Sequence, residues 1–188
     1  VIQLYAQVLG DDWHRLAEPI RALHQGPVRA VGNFRVTRGS NWISNLLANW
    51  IGLPSAGENV VLELKITASE GTERWTRRFD ELVLESVQRL GSRGLLVERM
   101  GPMEFAMELE VVEGALIYHV RRLALRTLGV RVPLPPIGLA ACTATERPNV
   151  DGHSFDVFVS IHAPIVGLIA QYEGTATVVD AASDAMRK

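Results

Sequence analysis

The chain has 188 residues, 47% apolar and 21% charged, with 19 Lys and Arg against 21 Asp and Glu for a net charge of −2. That length and composition fit one soluble globular domain with a core of its own, and the lack of a basic excess argues against a nucleic-acid partner. A single cysteine, Cys142, excludes an internal disulfide framework.

The opening Val1-Ile2-Gln3-Leu4-Tyr5 lacks both an initiator Met and the basic, apolar pattern of a signal peptide. A trimmed domain from a reducing cytoplasm is therefore expected. Residues 1–27 read as helical. Leu4, Tyr5, Val8 and Leu9 make one apolar face that Gly10 stops, and Asp11 or Asp12 caps a second helix carrying Trp13, Leu16, Ile20 and Leu23. Gly26-Pro27 ends it, and Val28 to Arg38 reads as a first strand.

Ser40 to Pro54 reads as a helix, with Ser40 as cap, Gly52 and Pro54 as terminators, and Trp42, Leu46 and Trp50 at helical spacing. The surrounding stretch, Ser40 to Gly57, holds no charge, whereas an interfacial membrane helix normally carries a Lys/Arg-rich face. It is also too short and polar to span a bilayer. A plug or lid over one end of a barrel, offering Trp42 and Trp50 to a ligand, is the expectation.

From Val60 onward the chain alternates apolar and polar residues with period two, strand after strand, which predicts half-buried antiparallel strands. Val60, Leu62, Leu64 and Ile66 share one face. Ser69-Glu70-Gly71-Thr72 turns into Glu73 to Phe79, Leu82 to Leu90 follows, and Gly91 to Gly94 leads to Leu95 to Met100. Met103, Phe105, Met107, Leu109 and Val111 form the cleanest alternation. Glu113-Gly114 turns into Ala115 to Arg126, and the Pro-rich link 133–136 precedes a strand over 137–147. Asp151-Gly152 is a strong two-residue hairpin signal. It is followed by a row of Phe155, Val157, Val159 and Ile161, with Ser154, Asp156, Ser160 and His162 expected toward solvent. Leu168, Ala170, Tyr172, Gly174, Ala176 and Val178 share a face of the last strand. Nine or ten strands joined by hairpins favour closure, which removes exposed edges. The predicted fold is α+β and mainly β: an up-and-down antiparallel, calycin-like barrel or strongly curved sheet over 28–180, with N-terminal helices and residues 40–53 as the capping helix.

No metal, phosphate-loop, dinucleotide or nucleophile-elbow motif is present. The histidines (His14, His24, His119, His153, His162) show no ligand spacing. Neither a metal nor a cofactor is expected. Chemistry is sought instead where charge enters an inward row, because buried charge must be paired or used. Arg77 lies between Trp75 and Phe79, where it could hold a carboxylate or enolate oxygen. Either Glu98 or Arg99 must face inward, and an inward Glu98 would pair Arg77 as a structural ion pair or act as a catalytic acid or base. In Ala115 to Arg126 two phases stay open: Ile117, His119, Arg121 and Leu123 inward, or Leu116, Tyr118, Val120 and Arg122. Glu146 has small row neighbours, Cys142 and Ala144, that leave room for a ligand. Tyr172 needs a partner or ligand for its hydroxyl. Cys142 reads as a packed thiol.

The segments Trp75-Thr76-Arg77-Arg78-Phe79, Gly94-Leu95-Leu96-Val97-Glu98-Arg99-Met100-Gly101-Pro102, Leu134-Pro135, Phe155-Asp156-Val157 and Pro164-Ile165-Val166-Gly167, with Tyr172 and Gly174, resemble the bacterial family called domain of unknown function 4166. The resemblance covers nearly the whole chain. It implies no established activity. The family's occurrence alone or beside oxidoreductase-like nucleotide-binding domains suggests handling of an organic metabolite.

These readings converge on a barrel that binds an apolar small molecule. Arg77 and Glu98 are the candidate catalytic residues. Trp75, Met103, Phe105, Met107, His119, Arg122, Glu146, Tyr172, Trp42 and Trp50 are the candidate substrate contacts. A cofactor-independent cyclase or isomerase of a natural-product or lipid-like substrate is one expectation. A non-catalytic carrier or sensor, or a structural module of an oxidoreductase, is the other. A homodimer stays open. A void of several hundred cubic ångströms reached by Arg77, Glu98 or Glu146 is what the pocket reading requires.

Overall fold

The computed structural model describes residues 3–127, 130–134 and 141–179. Eleven strands follow one another as β1 (Val28–Arg38), β2 (Gly57–Ser69), β3 (Thr72–Phe79), β4 (Leu82–Leu90), β5 (Leu96–Met100), β6 (Met103–Val112), β7 (Ala115–Thr127), β8 (Val130–Pro133), β9 (Ala141–Pro148), β10 (Ser154–Ala163) and β11 (Gly167–Val179). All pairings are antiparallel. The order β6-β5-β4-β3-β2-β1-β11-β10-β9-β7 closes on itself through β6–β7, giving a ten-stranded barrel. The short β8 hangs from the far half of β7 as an eleventh strand. Residues 135–140, which take in the Pro-Pro part of the expected link and the expected start of the ninth strand, lie outside the described residues.

The period-two rows turn inward as expected. Val60, Leu62, Leu64 and Ile66 are buried on β2, and so are Met103, Phe105, Met107 and Val111 on β6. Closure lets every strand pair on both sides, so no long edge is left unpaired in the barrel wall. On the β1–β11 wall, a Cβ added at Gly174 would come 2.2 Å from the Asn33 carbonyl oxygen and 2.8 Å from the Phe34 ring. The inward glycine gives the Phe34 ring its place, edge-on to Phe79 and Tyr172.

One register shift decides a question left open by sequence. β6 and β7 slip between Ala106 and Met107, so Val120 faces Met107 while Arg122 faces Ala106. Arg121 is the extra residue of a bulge, which reverses the phase of the strand. Leu116, Tyr118 and Val120 point inward before it, and Leu123 and Leu125 after it. Neither single-phase expectation holds along the whole strand. Arg122 is carried outward.

The helices close the two ends. At the end where β1 begins, α1 (Leu4–Leu9), a 3-10 turn over Gly10–Arg15 and α2 (Glu18–Leu23) pack on the strand ends, with Ala17 N–H donating to the Gly114 carbonyl. The expected single second helix is broken in two because Pro19, which lacks an N–H, fits only the first turn of α2. At the opposite end lies α3 (Trp42–Ile51). Its cap is Asn41 rather than Ser40, since the Asn41 side-chain oxygen accepts from Ser44 N–H at 2.8 Å. Gly52 ends it with φ +83, a left-handed conformation that favours glycine.

α3 is turned the other way from the sequence expectation. Its buried face is Ser44 and Ala48, small residues that let the helix lie close to the start of β11. Trp42 and Trp50 are 74% and 54% exposed. Both therefore point away from the barrel interior, as does Leu46. Arg38 fastens the following loop by donating to the Leu53 and Pro54 carbonyls and to the Asn49 side chain. Among the described residues no helix is long and apolar enough to cross a membrane.

Candidate functional site

The barrel encloses a cavity of about 110 Å³. Apolar side chains make most of its wall, among them Leu53 below α3, Trp75, Phe79, Phe105 and Met107. Polar groups reach it from both sides: Arg77, Gln88 and Glu98 from β3, β4 and β5, and Glu146, Cys142 and Tyr172 from β9 and β11. This volume falls below the several hundred cubic ångströms expected, and below the ~300–1,000 Å³ of ordinary ligand pockets. It is closer to a cavity that accepts a single small ring.

Arg77 and Glu98 come together inside the barrel. Trp75 and Phe79 are buried, so strand alternation carries Arg77 inward between them, and Glu98 rather than Arg99 faces the interior. The guanidinium donates to Glu98 Oε1 at 3.2 Å and to Ser86 Oγ at 2.8 Å, and lies 4.7 Å from the centre of the Trp75 ring. Burial by itself would lower the pKa of Arg77, but the charge and hydrogen bond of Glu98 together with the nearby Tyr172 and Tyr5 offset that, and the net shift is upward. Arg77 is a permanent cation.

A second network, invisible in the sequence, runs from the helical end into the barrel. Glu146 Oε1 accepts from the Tyr118 hydroxyl at 2.8 Å, and Glu146 Oε2 lies 2.8 Å from His24 Nε2. Tyr5, on α1, donates to Gln88 Oε1 at 2.9 Å and stacks on the His24 ring at 3.7 Å. The two tyrosine oxygens are 3.4 Å apart. Each hydroxyl has only one hydrogen, already placed on Gln88 or Glu146, so that contact adds little. With Nε2 donating to Glu146, His24 Nδ1 is buried without a partner among the described residues. Burial pushes the Tyr5 and Tyr118 phenols well above their usual range, with the Glu146 charge adding to it. These groups are hydrogen-bonding posts, not acids at neutral pH.

Glu73 lies near this network, buried on β3, where it accepts from Trp75 Nε1 at 3.2 Å. Burial raises its pKa, while the Trp75 hydrogen bond and His24 pull the other way. The folded state thus holds the Glu73 proton more tightly than the unfolded chain does. Stability should fall as pH rises from the ordinary carboxylate value near 4.5 through the raised one. Glu73→Gln keeps the acceptor for Trp75 and removes the titration. Its urea-unfolding free energy should lose that decline and exceed the wild type's at neutral pH. An unchanged pH slope would assign the decline to other groups.

The remaining candidates separate cleanly. Trp75, Phe105, Met107, Glu146 and Tyr172 line the cavity. Met103 is buried in the core but does not line it. His119 is on the outside, paired with Glu110 at 2.8 Å, and Arg122 is on the outside past the bulge. With Trp42 and Trp50, these are corrections to the expected contact set. Ser154, expected toward solvent, is buried and bonded through Oγ to Asp151 at 2.7 Å, and Ser160 is buried as well. Tyr5, His24, Gln88 and Tyr118 were missed as a set. They come from α1, the end of α2, β4 and β7, and no local spacing links them.

Burial and the nearby Glu98 charge raise the Cys142 thiol to about 12, so it is a packed thiol rather than a nucleophile. Among the described residues no group of three His, Cys, Asp or Glu is placed to hold a metal ion.

Fold and site together define a closed ten-stranded antiparallel barrel, with a helical segment at each end and two charged networks reaching a small apolar cavity. The chain belongs to the family described as domain of unknown function (DUF4166), whose profile matches residues 16–175. No curated protein matches the chain. Among solved structures it is similar to one titled "Crystal Structure of Rv2717c from M. tuberculosis", with 11% sequence identity and a TM-score of 0.43. The match covers 88% of this chain and 99% of that one.

Proposed function

We propose that the barrel binds a compact, largely apolar small molecule, with its polar end meeting Arg77, Glu98 and Tyr172. The observation that supports this most directly is the Tyr172 hydroxyl. Tyr172 lines the cavity, and its hydroxyl has no hydrogen-bond partner among the described residues, whereas Tyr5 and Tyr118 have theirs. A phenol facing an apolar hollow without a partner is a group placed for a ligand. The natural-product or lipid-like substrate expected from sequence exceeds 110 Å³. A single-ring compound is the better fit.

Carrier or sensor is the preferred role. Arg77 already spends donors on Glu98 and Ser86, which holds it in place rather than free to follow a reaction. Cyclase or isomerase chemistry is the second reading, favoured by the water-excluding aromatics around Arg77. In it Arg77 stabilises developing oxygen charge and Glu98 moves the proton.

Indole is the probe that tests binding. At ten times its Kd it should raise stability by about 1.4 kcal/mol, read as an upward shift of the melting midpoint. Ala144→Leu, which fills the cavity from β9, should abolish the shift while keeping the wild-type circular dichroism spectrum. No shift with the wild type, or an equal shift with Ala144→Leu, sinks the proposal. Turnover of any bound compound that disappears in Glu98→Gln, with binding retained, moves the reading to the enzyme.

A further inference from the structure

The outer wall of the barrel carries a feature that neither the net charge nor the cavity predicts. Two contiguous hollows of about 610 and 330 Å³ share Arg89, Val97, Glu104 and Arg126 and run across the outer faces of β3 to β8. Their rims hold six arginines, Arg74, Arg89, Arg99, Arg122, Arg126 and Arg131, against two glutamates, Glu85 and Glu104. Since the whole chain is net negative, this is a concentrated positive field on one side of an acidic protein.

The arginines are not all spent on internal pairs. Glu104, on the floor, is held by Arg126 at 2.7 Å and by Arg131 at 2.6 Å. Arg74 meets Glu85 at 3.5 Å, exposed on both sides. Among the described residues Arg89, Arg99 and Arg122 have no carboxylate partner. They stand on β4, β5 and β7, with Arg89 opposite Val97 and Arg99 opposite Val87 across β4–β5, and Arg122 opposite Ala106 across β6–β7. The bulge at Arg121 is what turns Arg122 to this face. Between the charges the floor is apolar, made by Val87, Val97 and Ala106. From β3 to β8 the groove crosses five interstrand steps, roughly 24 Å at ~4.8 Å each.

We propose that this groove is a docking site for an extended acidic segment of a partner protein, with carboxylates on the free arginines and apolar side chains on the floor. Guanidinium and carboxylate match in a planar two-point geometry, and the wall already holds one carboxylate between arginines, Arg126 Nε on Glu104 Oε2 and Arg131 Nε on Glu104 Oε1. A nucleic-acid strand fits less well. Among the described residues no aromatic side chain lines the groove to stack on bases, and the rest of the chain, acidic overall, repels a long polyanion.

The probe is a fluorescein-labelled ten-residue peptide of alternating Glu and Leu, titrated with the full chain at low salt and followed by anisotropy. Saturable binding is expected, weakening as salt rises. Arg99→Glu with Arg122→Glu, both at exposed sites, should weaken it at least about tenfold without altering the circular dichroism spectrum. Arg35→Glu, on the opposite wall, should not. Absence of binding, equal binding by the double variant, or a single-stranded ten-nucleotide DNA binding as tightly as the peptide overturns the proposal.

Discussion

Glu146→Leu should lower the unfolding free energy by about 3–5 kcal/mol, the cost of leaving a buried charge network without its centre. Glu146 is buried and accepts from Tyr118 through one oxygen while meeting His24 through the other. Removing it strands a fully buried imidazole and leaves the Tyr118 phenol only the long 3.4 Å contact to the Tyr5 oxygen. For a chain of this size the loss corresponds to a melting midpoint lower by roughly 10 °C. Replacing the whole cluster, as His24→Phe, Tyr118→Phe and Glu146→Leu together, should cost less than Glu146→Leu alone, because no unpaired polar group remains. Thermal and urea unfolding of the single and triple variants decide the matter. A single variant within about 1 kcal/mol of wild type would show that the network carries little of the fold.

Arg77→Met should be nearly as damaging, at about 2–4 kcal/mol, since it leaves Glu98 unpaired at 15% side-chain exposure and removes the cation from above Trp75. Partial access to the cavity keeps the loss below that of a fully sealed pair. Glu98→Gln retains an acceptor for the guanidinium and should cost less. The double variant Arg77→Met with Glu98→Leu should recover most of the stability. A double-mutant cycle in urea gives the coupling directly and is expected at 1–3 kcal/mol. Indole binding then separates structure from function: if Arg77 and Glu98 meet the ligand, the stable double variant binds indole more weakly than wild type. Unchanged affinity would leave the pair purely structural.

The two pairs differ in how far sequence could reach them. Arg77 and Glu98 were legible as candidates because each interrupts a period-two row, a local property of a strand, but the choice of Glu98 over Arg99 as the inward residue came from the structure. Glu146 was legible for the same reason, between small neighbours on β9. His24, Tyr5, Gln88 and Tyr118 were not, because Tyr118 meets Glu146 only through the β7–β9 pairing, and Tyr5 and His24 meet Gln88 and Glu146 only through the docking of the N-terminal helices on the barrel end. That contact spans separations of 83 to 122 residues.

α3 shows the same limit from the other side. Helical spacing of Trp42, Leu46 and Trp50 was visible, and an apolar stripe ordinarily marks the buried face. Ser44 and Ala48 are buried instead, because the helix lies too close to β11 to admit a large side chain. A Cβ added at Gly39 would sit 2.4 Å from Ser44 Oγ. Sequence supplies the periodicity and not the clearance.

By itself, then, the sequence determined the local elements: the first strand at Val28–Arg38, the hairpins at Glu70-Gly71 and Glu113-Gly114, the inward rows, and the antiparallel barrel they favour; at Asp151-Gly152 it marked the turn but not its length, which is five residues, 149–153, rather than two. Alternation and turn chemistry act between neighbours along the chain, and those interactions are written in the order of residues. The tertiary structure alone decided the closure of β6 and β7 onto β9, the bulge at Arg121 that sends Arg122 outward, the tight seat of α3, the modest cavity and the arginine-lined outer groove. Each depends on which distant segments meet and in what register. Close packing of a closed barrel fixes that, and no short window of sequence contains it.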